Sequence, residues 1–144
     1  MNSLELLALN NFPLVEPGDD LPSIIFDSIK NNKLIINDND IVVIAQKIVS
    51  KAENRYVNLK TIEISEEAKD LSKKLNKDDG LVQAIINESN RILSTKKNVI
   101  IVEHKLGFIN INAGIDLSNI PDENLGLLLP KNPKKSAKDI QNNL

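Results

Sequence analysis

Ile41-Val42-Val43-Ile44-Ala45-Gln46-Lys47-Ile48-Val49-Ser50-Lys51 is the stretch on which the reading of the fold turns. Its first five residues form a continuous apolar run, rich in β-branched side chains and preceded by the polar Asp38-Asn39-Asp40. A run without polar alternation suits a strand buried on both faces, because both alternating sets of side chains are apolar. Gln46 to Lys51 then stand at the carboxyl end of that strand, where ligands of open sheets gather. A lysine ammonium there is a point charge suited to phosphate oxygens. On pattern alone, a solvated surface turn is the commoner reading of the same residues.

Upstream of this stretch, Leu4 to Leu9 reads as a short apolar strand. Asn10 to Gly18 reads as a loop broken by Pro13, Pro17 and Gly18. Asp19 and Asp20 open a helix that tolerates Pro22 in its first turn, with Leu21, Ile25 and Ile29 as its buried stripe. Downstream, Arg55 to Leu59 suits a short strand. Ser65 is an N-cap before Glu66 and Glu67, and Ala68, Leu71 and Leu75 form a stripe. A second helix is expected from Asp78 or Asp79 as far as Leu93, with Val82, Ile85, Ile86 and Ile92 on its apolar side. Val99 to Val102 and Phe108 to Ile111 suggest a hairpin turning near Gly107, and Leu125 to Leu129 a last strand. A helix follows from Ser136 to Leu144, with Pro133 in its first turn. Strands and helices mix without strict alternation, so the expectation is one α+β domain over 1–144: a mixed β-sheet flanked by helices.

Composition narrows the chemistry. The chain has 144 residues, 41% hydrophobic and 26% charged, with a formal net charge of -2. That balance offers no global field toward nucleic acid or an anionic membrane. No apolar run approaches the ~20 residues of a bilayer span, and Met1 to Asn10 lacks a signal-peptide pattern, so the cytoplasm is expected. There is no cysteine, which removes disulfides, thiolate sites and cysteine nucleophiles. The single histidine, His104, rules out a histidine-rich zinc site and is expected on the surface beside Lys105. Tyr56 and the three phenylalanines are too scattered for a base-stacking platform. The lysines from Lys131 to Lys138 read as a solvated helix face. The abundant asparagine receives no functional weight.

No GxxxxGK[ST], GxGxxG or GxSxG motif is present. Two segments besides Gln46 to Glu53 could carry chemistry. Phe12-Pro13-Leu14-Val15-Glu16-Pro17-Gly18-Asp19-Asp20 takes a tight path into a helix, although an ordinary connector is the commoner reading. In Asn112-Ala113-Gly114-Ile115-Asp116-Leu117-Ser118-Asn119, Asp116 could give a hard oxygen to Mg²⁺ or Mn²⁺ and Asn119 could meet a nucleotide. A turn in which Asp and Ser cap their own backbone is an equal alternative.

Taken in order, F-P-L-V-x-x-G-D-D, D-I-V-V-I-A-Q-K-I-V-S-K-A-E-x-R and N-A-G-I-D-x-S-N resemble the coenzyme F420-0:L-glutamate ligase family. Glu88-Ser89, placed in the second long helix, extends the resemblance. So do Leu127-Leu128-Leu129-Pro130 and Pro133 with Ser136-Ala137. The resemblance implies an enzyme that uses GTP to activate a carboxylate of F420-0 and joins L-glutamate to it through an amide, with further glutamate added by a γ-linkage. It implies Mg²⁺ or Mn²⁺, an association with K⁺, and a homodimer. It places Phe12, Pro13, Leu14, Val15, Gln46, Lys47 and Asn119 at the nucleotide, Lys51 at its phosphates and Asp116 at the metal. No residue is assigned as the base toward the glutamate amine.

Two departures from the family pattern stand out. Leu106 occupies the position before Gly107-Phe108 where a histidine is expected. The family chain also continues into a T-D-x-x-G-R-type segment with further metal ligands, which has no counterpart here. The expectation is therefore a portion or half of the ligase, with a non-catalytic nucleotide- or flavin-like-ligand-binding module as the alternative. A single exposed aspartate binds such a hard cation weakly, because these sites pool several oxygens.

Overall fold

A computed structural model describes residues 4–118, 120 and 122–144. Helix α1 spans Leu21–Asn31, α2 Gln46–Ala52, α3 Glu66–Leu75, α4 Asp79–Asn87 and α5 Pro133–Asn142. Strand β1 is Tyr56–Asn58, β2 Ser89–Lys96, β3 Val99–His104, β4 Ile109–Ile111 and β5 Leu125–Leu127. The α+β class is as expected. In place of one mixed sheet, the described residues form two small antiparallel sheets, β1-β5 and β2-β3-β4.

Local chemistry explains most boundaries. The Ser65 hydroxyl accepts from Ala68 N–H at the start of α3, and the Asp78 carboxylate accepts from Leu81 N–H at the start of α4. Helix α3 ends at Asn76 in the left-handed region. Asparagine fills that conformation repeatedly: Asn11, Asn39, Asn54, Asn76, Asn98 and Asn112 all have positive φ. Its short amide tolerates the region by bonding locally, so part of the asparagine richness serves turns.

Three sequence expectations give way. Helix α4 ends at Asn87 and the chain continues as β2, so Glu88-Ser89 sits at the junction and Ile92 lies on a strand. Pairing with β3 across Arg91↔Glu103 and Ile92↔Val102 competes with helical continuation and wins. Leu4 to Leu9 adopts no strand, with Leu4 95% and Leu6 87% exposed. Ile41 to Ala45 is likewise irregular, and Ile41 is 86% and Val43 82% exposed. A strand needs a neighbouring ladder, and neither segment has one among the described residues.

The interior has two apolar clusters. One gathers Leu75, Leu81, Ile85, Ile100, Val102 and Ala113 between α3, α4 and the three-stranded sheet. The other gathers Val15, Leu21, Ile25, Ile29 and Ile140, which seats α5 against α1, and Ile48, Val49 and Ala52 of α2 pack on it. Helix α2 and the β1-β5 ladder lie where these halves join: Arg55 N–H donates to Ser50 C=O, and Leu128 N–H donates to Arg55 C=O.

Candidate functional site

Asp116 is placed by backbone bonds before its side chain is considered. Its N–H and C=O both pair with Leu127, at 3.0 and 2.9 Å. On the other edge, Leu127 stands opposite Tyr56. Directly opposed residues share a sheet face, so Tyr56, Leu127 and Asp116 form one row. Just before Asp116, Asn112 and Ala113 are consecutive left-handed residues, with φ of 51° and 53°. Buried Ala113 in that conformation costs about 1 kcal/mol and sharply turns the chain out of β4.

Lys47 reaches this row from α2. Its Nζ lies 2.5 Å from Asp116 Oδ2. It also donates to the Ser118 carbonyl at 3.3 Å and hydroxyl at 3.2 Å. Ser118 N–H and Oγ–H both donate to Asp116 Oδ1, each at 2.7 Å. Partial burial pushes the Asp116 carboxyl up. The hydrogen bond from Lys47, those from Ser118 and the Lys47 charge outweigh that and hold its pKa at about 2. Burial also raises the Tyr56 hydroxyl; the charge of Glu16 adds to the shift and that of Lys47 opposes it. Lys47, Asp116 and Ser118 thus form one polar constellation that joins the second and third motif segments, with Tyr56 on the neighbouring strand of the same row.

The other expected site residues are distributed around it. Lys51 is one helical turn after Lys47 on α2, half-buried, and makes no ion pair among the described residues. The Gln46 amide is turned back onto α2, donating to Ser50 Oγ at 2.6 Å. Phe12 and Val15 pack in the second apolar cluster beside Ile48 and Val49. Pro13 lines a separate cleft with Asn10 and Asn32, and Leu14 is 87% exposed. Gly18, at φ +89°, ends the loop and donates to the last residue of α2, Ala52, at 3.0 Å. Asn119 lies outside the described residues.

Tyr56, which the sequence reading set aside as a stacking residue, stands on the same sheet row as Asp116, across Leu127. Its signal was its place at the start of β1, not its aromatic ring. Asp116 tests poorly as a divalent-metal centre on its own. Both its oxygens are engaged, and no group of three His, Cys, Asp or Glu side chains among the described residues could hold a metal ion.

A second, partly buried polar cluster lies where β1 begins. Arg55 Nη2 donates to Glu88 Oε2 at 2.9 Å, and Arg55 Nε donates to the Leu129 carbonyl at 2.8 Å. His104 was expected on the surface but is 2% exposed. Its position at the inward-facing end of β3 buries it, and its ring stacks on Phe108 with centroids 5.1 Å apart. His104 Nδ1 accepts from Leu106 N–H at 2.9 Å, which puts the ring proton on Nε2. Nε2 is 3.6 Å from Glu88 Oε2, too far for a hydrogen bond, and has no partner among the described residues.

Among the described residues no helix is long and apolar enough to cross a membrane. A family model described as F420-0:Gamma-glutamyl ligase matches residues 10–144. The chain is 39% identical over 137 residues to a coenzyme F420:L-glutamate ligase of Methanothermobacter thermautotrophicus, covering 95% of this chain and 54% of that protein. A protein of the same name from Methanococcus maripaludis is 44% identical over 76% of this chain and 44% of its own length. Another, from Methanopyrus kandleri, is 35% identical over 100% of this chain and 56% of its own. The chain spans about half the length of the curated relatives it matches.

Proposed function

The chain belongs to the F420-0:gamma-glutamyl ligase family, and on that premise we propose that it carries part of the GTP site of a coenzyme F420-0:L-glutamate ligase. The observation that supports this most is the Lys47–Asp116–Ser118 constellation, which joins the Q-K-I-V-S-K helix to the N-A-G-I-D-x-S-N turn. Phosphoryl transfer demands positioned positive charge more than covalent chemistry. Lys51 lies one turn after Lys47 on α2, and in this reading Lys51 holds the nucleotide phosphates while Lys47, paired with Asp116, contacts the nucleotide. Phe12, Pro13, Leu14, Val15, Gln46 and Asn119 contact the rest of GTP.

The reaction proposed has two steps. A carboxylate oxygen of F420-0 attacks the γ-phosphorus of GTP, giving an acyl phosphate and GDP. The L-glutamate amine then attacks the acyl carbon; the amide forms, phosphate leaves, and the amine proton passes to solvent or to a base. Lys51 offsets the charge of the transferred group. Mg²⁺ or Mn²⁺ and K⁺ belong to the same reading. The described residues alone do not fit a divalent ion, however, because Lys47 occupies the Asp116 oxygen a metal needs. A homodimer working in the cytoplasm completes the proposal.

The test is GDP release that requires both F420-0 and L-glutamate. It would be measured with this chain alone and with the remaining portion of a relative supplied beside it. Turnover in either arm supports the ligase. GTP bound tightly with no turnover in both arms would leave a nucleotide-binding module instead.

A further inference from the structure

Ile41-Val42-Val43-Ile44 carries the exposure pattern of a strand without the strand's partner. Ile41 and Val43 are 86% and 82% exposed, whereas Val42 is 41% exposed and Ile44 packs on the second apolar cluster. That alternation has the period of two expected of a β-strand. Ile44 therefore rests on the protein's own core, Val42 borders the adjoining groove, and the Ile41–Val43 face is apolar and bare. Among the described residues no backbone hydrogen bond joins Ile41–Ile44 to another segment. Edges meant to stay in water carry lysine, proline or a bulge. Ile41 to Ala45 contains neither lysine nor proline. Beside it runs a groove of about 1060 Å³, whose wall includes Pro130, Pro133, Ala137 and Leu144. Leu4, Leu6 and Leu7 add further exposed apolar side chains elsewhere in the chain.

We infer that Ile41–Ile44 is a docking edge, and that its occupant is an extended segment from the portion of the family polypeptide that this chain does not span. Relatives carry about half of their length outside the match, enough to supply both a pairing strand and a cover for the outer face. A second copy of this chain fits less well. Self-pairing about Val42 and Val43 satisfies the backbone edge but leaves the Ile41 and Val43 face in water. Strand addition takes its affinity from main-chain bonds and its specificity from alternate side chains, which matches one bare edge bearing one bare apolar face. The inference rests on family membership and not on the ligase reaction.

The experiment co-expresses this chain with a tagged polypeptide, the part of the Methanothermobacter thermautotrophicus relative lying outside its match. Purification on the tag is followed by amide hydrogen exchange. The expected result is a one-to-one complex in which the amides of Ile41–Ile44 exchange about 100-fold more slowly or beyond. Combined Ile41→Lys and Val43→Lys should weaken the complex roughly 10- to 100-fold. The thermal melt of this chain alone should not change, because both side chains are exposed. No complex, or a complex that the double variant leaves intact, overturns the inference. So does protection of these amides in the isolated chain that rises with its concentration, which would assign the edge to a second copy. Ligase activity is not part of the readout, so the two readings can fail separately.

Discussion

Lys47 Nζ sits 2.5 Å from Asp116 Oδ2, tying α2 to the strained turn that follows β4. The folded-state pKa of Asp116, about 2, lies below its ordinary 3.8. The stability it contributes is therefore complete above the ordinary value and is lost as pH falls toward 2. Partial exposure of both side chains limits that contribution to about 1 kcal/mol. Lys47→Met should move the Asp116 titration upward and flatten the acid limb of stability below pH 4. Carboxyl chemical shifts followed against pH would check this; an unmoved Asp116 titration would show that Ser118 alone holds the carboxylate.

His104 is the sole histidine, so it gives a clean signal between pH 5 and 7. Burial lowers its pKa, Glu88 opposes that shift, and Arg55 and Lys105 add to it. Because the folded value lies below the ordinary 6.5, the unfolded chain takes up the proton first. Stability should be whole above about pH 6.5 and should fall as pH drops through that value toward the folded pKa. His104→Phe keeps the stack on Phe108 but strips Leu106 N–H of its acceptor. We expect a loss of about 1–2 kcal/mol at pH 7.5 and a melting temperature that no longer varies between pH 7 and 5. Calorimetry across that range would decide; an unchanged slope would mean that the slope arises elsewhere.

The same imidazole can report on the Arg55–Glu88 pair. Arg55→Ala removes a cation near His104 and should raise its pKa. Glu88→Gln removes the anion and should lower it further. Arg55→Ala should also cost about 2–3 kcal/mol, because Glu88 loses its partner in a mostly buried site and the Leu129 carbonyl loses a donor. Proton NMR of the single imidazole in both variants tests the opposite signs, and shifts in the same direction would contradict the arrangement.

Gly80 lies near the start of α4, where helix propensity alone favours alanine by about 1 kcal/mol. A Cβ there would meet the Leu59 carbonyl oxygen at 1.9 Å and its carbon at 2.8 Å. Both are backbone atoms and cannot swing aside. Gly80→Ala should therefore destabilise by about 2–4 kcal/mol, against the direction of propensity. Urea denaturation measures it, and a stabilised variant would mean that α4 does not approach Leu59 this closely.

Helices were the readable part of this sequence because their information is local. Ser65 and Asp78 announce the starts of α3 and α4, and Leu21, Ile25 and Ile29 the buried face of α1. The strands were harder. Ser89 to Lys96 follows a helix without a breaker, and only its ladder with β3 decides its state. Ile41 to Ile44 shows the reverse case, a strand pattern whose partner is not among the described residues. At the candidate site, Lys47 and Asp116 were both legible as chemistry-bearing residues, but their direct pairing was not. It depends on Asp116 bonding Leu127, a contact between segments eleven residues apart. His104 was misplaced because β3 alternates inward at Ile100, Val102 and His104, and a polar residue on the buried phase of a strand breaks the usual rule.

Lys51 offers the sharpest test of nucleotide binding. It carries a charge on the same face of α2 as Lys47 and has no ion-pair partner among the described residues. If it holds phosphate, Lys51→Ala should weaken GTP binding about tenfold and reduce the salt dependence of what remains. Lys74→Ala removes an equal charge from the exposed last turn of α3 and should leave binding unchanged. That control separates a local contact from the effect of net charge. Asp116→Asn, measured with Mn²⁺ present, should also weaken GTP binding; it should lower the melting temperature by a few degrees through loss of the Lys47 pair, whereas Lys51→Ala and Lys74→Ala should shift it only slightly. Calorimetric titration of GTP into the parent and the variants supplies the numbers. If Lys51→Ala and Asp116→Asn both bind like the parent, the nucleotide lies elsewhere and the motif-based placement of the site is wrong.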